Sequence, residues 1–159
     1  MNKVSKERYK RCYDDGNFYE ELFIKSVKTK NPNVRRATEQ EDMYQHIDVW
    51  VSGLGVDVKG HRHNQTIWLE LTNVHGYKGW LRGDATLIAF HFEDKNVFRV
   101  FFREDLLNFV VENVTEKTSS KKDYMKIYTR EKWGKKDEVV KVRLSDIKHL
   151  RHRVLKCVE

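Results

Sequence analysis

Apolar residues recur along the chain with two periods, and the switches between them mark the elements. Over 16–28, Tyr19, Leu22, Phe23, Ile24 and Val27 repeat at helical spacing. Asn31-Pro32-Asn33 then reads as a turn. Thr38-Glu39-Gln40-Glu41 reads as a capping box, with Thr38 at the N-cap, opening a short helical turn that carries Asp42 and His46. Two β-rich runs follow at 47–51 and 56–59, joined by the hairpin signal Ser52-Gly53-Leu54-Gly55. A third strand is predicted at 66–71, and a Gly-rich stretch runs from Gly76 to Asp84. Strands at 85–92 and 97–102 are joined by Glu93-Asp94-Lys95-Asn96. Leu106, Leu107, Phe109, Val110 and Val114 predict a helix over about 103–114. The polar, basic 115–123 reads as a mobile loop. Strands near 124–129 and 138–144 follow, split at Trp133-Gly134-Lys135-Lys136-Asp137. Ser145 is the expected N-cap of a last helix, with His149, Arg151, His152, Arg153 and Lys156 opposite Ile147, Leu150, Val154 and Leu155. The pattern predicts one α/β domain over 1–159, with a central mixed sheet and helices on its faces.

Composition narrows the class. A length of 159 residues fits a single domain on the usual scale of about 150. The net charge is +7 and is unevenly placed. Residues 1–114 hold 17 basic and 17 acidic side chains, whereas 115–159 hold 14 and 7. A basic C-terminal part of this kind suits a polyanion such as nucleic acid. No apolar run approaches the roughly 18–20 residues of a membrane span. The charged start, Met1 to Glu7, does not read as a signal peptide, which points to the cytoplasm. Two cysteines at opposite ends, Cys12 and Cys157, form no disulfide framework and fit a reducing compartment.

The chemistry lies where ionisable residues interrupt apolar runs. At about 100° per residue, Glu20 falls inside the apolar arc of the first helix and Glu21 outside it. A carboxylate facing the core is costly unless paired, protonated or bound to a metal. Asp57 and Lys59 share one face of their strand. Antiparallel pairing places Asp48 near the end where Lys59 emerges. This set reads either as a salt-bridged hairpin or as a site for metal-assisted phosphodiester hydrolysis. Mg²⁺ takes oxygen ligands, typically one or two carboxylates plus substrate phosphate. Asp48 and Asp57 are the candidate carboxylates, with the Val58 carbonyl as a further ligand and Glu20 completing the shell. Lys59 would orient or activate the attacking water, or stabilise transition-state charge. Asp42 and His46, four apart, read first as a local hydrogen bond, and a contribution to the site stays open because His46 is two residues before Asp48. His61-Arg62-His63 reads as a loop at the substrate mouth, with Arg62 on a phosphate. Tyr9, Tyr13, Trp80 and Trp133 are candidates for stacking on bases.

The order Glu20, Asp48, Asp57-Val58-Lys59 resembles the PD-(D/E)XK nuclease superfamily, over roughly 16–114. Ile47 stands where the name-giving proline would be. The resemblance implies a restriction-endonuclease-like central mixed β-sheet flanked by helices. It further implies Mg²⁺-dependent hydrolysis of DNA, with Mn²⁺ able to substitute. Glu20, Asp48, Asp57 and Lys59 would be catalytic, and Glu70 on the third strand is a further candidate. Small members often act as homodimers on duplex or branched DNA. On this reading Lys121, Lys122, Lys135, Lys136, Arg151 and Arg153 track the phosphate backbone. The compact size favours a structure-selective or low-specificity endonuclease. The alternatives are a non-catalytic nucleic-acid-binding module on the same fold, or an assembly protein of a mobile element.

Overall fold

The structure, a computed structural model, describes residues 3–60, 65–132 and 134–159, with side chains over 16–60, 65–131 and 134–159. The apolar repeat read over 16–28 is the end of a longer helix, α1, Lys3–Lys28. Strand β1, Val34–Arg36, follows the turn at Pro32. The capping box forms as read. The Thr38 hydroxyl accepts the Glu41 N–H, and the Glu41 carboxylate accepts the Thr38 N–H. These bonds start α2, Glu39–Gln45, which His46 closes in the left-handed region at φ 54°. Next come β2, Val49–Val51, and β3, Leu54–Lys59, paired antiparallel with Val51 opposite Leu54. Ser52 and Gly53 between them have φ of 48° and 79°, the two positive values that a two-residue type I′ hairpin requires.

Strand β4 is Thr66–Thr72, and a single 3₁₀ turn at Trp80–Arg82 leads on to β5, Leu87–Phe92, and β6, Val97–Phe102. Helix α3, Arg103–Asn113, matches the apolar repeat read there. Strands β7, Lys117–Thr118, β8, Ile127–Lys132, and β9, Lys135–Arg143, precede a one-turn helix, α4, Leu144–Ile147, and a last strand, β10, His152–Lys156.

Among the described residues the strands form two sheets rather than one. The larger runs β1-β2-β3-β5-β6-β10, with β3 and β5 parallel and the other neighbours antiparallel. The smaller runs β4-β9-β8-β7, with β7 and β8 parallel. The class is therefore α/β with mixed sheets and four helices.

Two expectations are corrected. Residues 115–123 are not loop throughout. β7 lies within them, and the Thr118 hydroxyl bonds both the Asp123 carboxylate and the Ser120 N–H. Nor do 149–156 form a helix N-capped by Ser145. The cap is Arg143, whose N–H donates to Asp146, and the chain then extends as β10 along β6. β6 would otherwise present a row of unpaired backbone groups, and ladder bonds to β10 satisfy them.

Helix α1 lies on one face of the larger sheet, where Tyr19, Phe23 and Ile24 pack against Val49, Val56, Val58, Ala89 and Phe98. On the other face Ile47, Ile88, Phe90 and Phe101 meet Ile67, Leu69, Leu71, Val140 and Val142 of the smaller sheet, together with Leu106, Phe109 and Val110 of α3. With Val56 and Val58 turned toward α1, alternation directs Asp57 and Lys59 toward the smaller sheet.

Candidate active site

Three elements converge at the C-terminal end of β3. A Cβ on Gly60 would lie 2.3 Å from Tyr19 Cδ2, so the bare glycine after Lys59 lets α1 close over the strand end. The Tyr19 hydroxyl donates to Glu93 at 2.6 Å, which fixes that turn of the helix. Burial and then the Glu93 bond push this phenol up to about 12. Glu20, the next residue, is thereby held at the edge of the sheet. Its side chain is 19% exposed against 54% for Glu21. Arg36 of β1 bridges both carboxylates.

Asp48 lies just before β2. Its N–H donates to the Val56 carbonyl at 2.9 Å, and its Oδ2 accepts the Val58 N–H at 2.7 Å. N–H and C=O of one strand residue point to the same side, so the Val58 carbonyl also faces Asp48. Asp57 is only 2% exposed. Its Oδ1 lies 2.8 Å from Lys59 Nζ, whereas Oδ2 is buried without a hydrogen-bond partner. The ammonium of Lys59 sits 5.0 Å from the Trp80 ring centroid, which limits where it can move. Asp48, Asp57 and Lys59 therefore gather at one sheet end, and the ion pair formed is Asp57–Lys59 rather than Asp48–Lys59.

The acids repel one another. Burial and then Asp57 push Asp48 up to about 8, against the opposing pull of Lys59 and the Val58 N–H. Burial and then Asp48 push Glu20 up to about 7, with Arg36 opposing. Asp57 is raised, chiefly by burial, although the charge and the hydrogen bond of Lys59 oppose the shift. Burial works against the Lys59 charge, yet Asp57 and Asp48 outweigh it and hold the ammonium above its usual range.

A cavity of about 240 Å³ opens beside Asp48, lined by Glu20, Arg36, Thr38, Asp42 and Asp48 among others. At ~30 Å³ per water it holds about eight waters, enough for a hydrated cation. Sequence reasoning favoured a local bond for Asp42 and left a contribution to the site open. The local bond is the His46 N–H to the Asp42 carbonyl, and the His46 ring turns to the Lys78 carbonyl. The Asp42 carboxylate lines the cavity and adds its charge to Glu20, Asp48 and Asp57. Arg36 was also missed, and its only signal was a basic pair just after the Pro32 turn. Glu70 is outside the cavity lining, on β4, but its charge reaches Lys59. Among the described residues, no three His, Cys, Asp or Glu side chains already stand together as a metal cage.

The basic residues fall on separate surfaces. Lys121 and Lys122 are exposed in the turn after β7, and Lys135 and Lys136 lie exposed in β9 next to its hairpin. Arg151 pairs with Asp105 and stacks on Phe102, and Arg153 is exposed on the β10 edge. His61, Arg62, His63 and Trp133 lie outside the described residues, as do the side chains of Tyr9 and Tyr13. Among the described residues no helix is long and apolar enough to cross a membrane. No family model, curated protein or solved structure matches the chain.

Proposed function

We propose that the chain is a Mg²⁺-dependent nuclease of restriction-endonuclease-like fold that hydrolyses DNA phosphodiester bonds, with Mn²⁺ as a substitute. One observation carries the reading. Asp57 is almost fully buried, leaves one carboxylate oxygen without a partner, and lies within electrostatic reach of Asp48, which lines a cavity together with Glu20 and Asp42. A buried polar atom left unsatisfied is destabilising unless something occupies it in function. The donors are all oxygen and mostly carboxylate, which is what a hard divalent cation takes.

Asp48, Asp57, the Val58 carbonyl and Glu20 would hold the ion. When bound, it supplies positive charge to the scissile phosphate and makes water a competent nucleophile near neutral pH. The protein's own groups do the positioning. Asp57 Oδ1 and the Trp80 ring hold Lys59 at the strand end, where its ammonium would stabilise developing phosphate charge. The Val58 N–H keeps Asp48 in one rotamer. Arg36 pairs with Glu20 and Glu21; with Glu20 holding the ion, its guanidinium would be available to a phosphate.

The test is purified protein with supercoiled, linear, single-stranded and four-way DNA, in Mg²⁺, Mn²⁺ or EDTA. Cleavage that needs the cation and is lost in Asp57→Ala and Lys59→Ala supports the reading. No cutting of any substrate, or equal cutting by Asp57→Ala, defeats it. The Arg36 bridge also favours a second reading, a non-catalytic nucleic-acid-binding module in which Arg36 permanently takes the place of a cation. That reading expects DNA binding unaffected by EDTA and by Asp57→Ala.

A further inference from the structure

The face of β4 turned away from the core carries a surface that the acid site does not use. Ile67, Leu69 and Leu71 are 0–4% exposed, whereas Trp68 between them is 40% exposed. Across the ladder Trp68 stands opposite Lys141, Thr66 opposite Arg143, and Tyr128 next to Val139 in the same outward row. Tyr124 joins this face through its hydroxyl, 2.9 Å from the Thr66 hydroxyl. The rings and cations interleave. Arg143 lies 3.5 Å from the Tyr124 centroid, and Lys141 lies 4.5 Å from Tyr124 and 5.6 Å from Trp68. The Trp68 and Tyr128 centroids are 6.4 Å apart. Lys141 also donates to the Lys121 carbonyl, which brings the exposed Lys121–Lys122 turn alongside.

One exposed ring, Trp68, and two half-buried ones, Tyr124 and Tyr128, interleaved with cations on a sheet face, form a surface for bases that are out of the helix. Every base has a π-face to stack, and the cations take the phosphates between stacked bases. An intact duplex hides those faces and meets only the charge. Glu70 lies two residues from Trp68 on the same face of the strand.

We propose that this face binds an unpaired nucleic-acid strand, with Trp68, Tyr124 and Tyr128 stacking on bases and Lys141, Arg143 and the Lys121–Lys122 turn holding phosphates. The proposal rests on the nuclease reading for the identity of the polymer, and it makes the substrate a DNA with a single-stranded arm.

The test is fluorescence anisotropy in EDTA, with a labelled oligothymidylate of about 12 nucleotides and a blunt duplex of equal length. Trp68→Ala should weaken the single strand about 10-fold and the duplex less than about 2-fold, and Trp68→Phe should restore most of the loss. Lys141→Ala should weaken both and reduce the slope of log K against log salt by about one. Equal single-strand binding by Trp68→Ala and wild type, or equal loss on both probes, overturns the proposal. Cleavage with Mg²⁺ or Mn²⁺ is scored separately. A protein that cuts nothing yet holds the oligonucleotide through Trp68 keeps this face and loses the nuclease reading. One that cuts DNA while Trp68→Ala binds normally does the reverse.

Discussion

Asp48→Asn should destroy cleavage and yet make the metal-free protein more stable at alkaline pH. Asn keeps an oxygen that accepts the Val58 N–H, so the local bond survives. What disappears is a charge buried beside Asp57 and within reach of Asp42. The folded Asp48 carboxyl sits at about 8 against an ordinary value of 3.8, so the folded state holds a proton that the unfolded chain releases. Stability from this group is therefore fully present below about pH 4 and is lost as pH rises toward 8. A pKa unit corresponds to about 1.4 kcal/mol. Relaxation and water entry at the cavity edge leave about 1–3 kcal/mol of the total. For a chain of this length that is a rise of about 3–9 °C in Tm at pH 8 in EDTA, and about a third of that at pH 5. The assay is thermal unfolding of both proteins at the two pH values, repeated with Mg²⁺. Wild type should gain stability on adding Mg²⁺ and Asp48→Asn should gain much less. A lower Tm for Asp48→Asn at pH 8, or the same shift at both pH values, would show that Asp48 is not held against net repulsion.

Other outcomes follow from the same geometry. Mg²⁺ affinity, measured by calorimetry, should increase between pH 6 and pH 8.5, because protons on Glu20 at about 7 and Asp48 at about 8 compete with the ion; a flat profile would remove these carboxyls from the site. Lys59→Ala should cut the single-turnover cleavage rate at least about 100-fold with little change in DNA affinity, and a loss confined to affinity would contradict its placement. Neutralising Lys121, Lys122, Lys135 and Lys136 together should flatten the salt dependence of duplex binding by up to about 3–4 in slope while leaving Mg²⁺ affinity unchanged. Gly60→Val should destabilise the protein, because its Cβ would overlap the Tyr19 ring at 2.3 Å; a Tm equal to wild type would show that α1 does not need to close there.

Local signals sufficed where an element's bonds are its own. The Thr38–Glu41 box, the Ser52-Gly53 turn, the β5–β6 hairpin and the apolar repeat of α3 each satisfy their backbone within a few residues. The acid order Glu20, Asp48, Asp57-Val58-Lys59 was also readable, because charged residues in otherwise buried runs stand out in one dimension. The choice of Glu20 over Glu21 followed from helical spacing alone, and the exposures agree with it.

Sequence alone thus determined which residues are misfits in an apolar context, and the local period around each. Only the tertiary structure decided their partners. It placed β4 in a second sheet, so Glu70 and Trp68 share an outward face instead of joining the acid cluster. It drew 152–156 out as a strand, because β6 needed a neighbour and the apolar residues there fit either period. It gave Arg36 to Glu20, brought Asp42 to the cavity, and left one oxygen of Asp57 without a donor. The physical reason is the same in each case. Hydrogen bonds and charge pairs between segments far apart in the chain carry no local period, and burial turns a common residue into a reactive one only after the distant walls have closed around it.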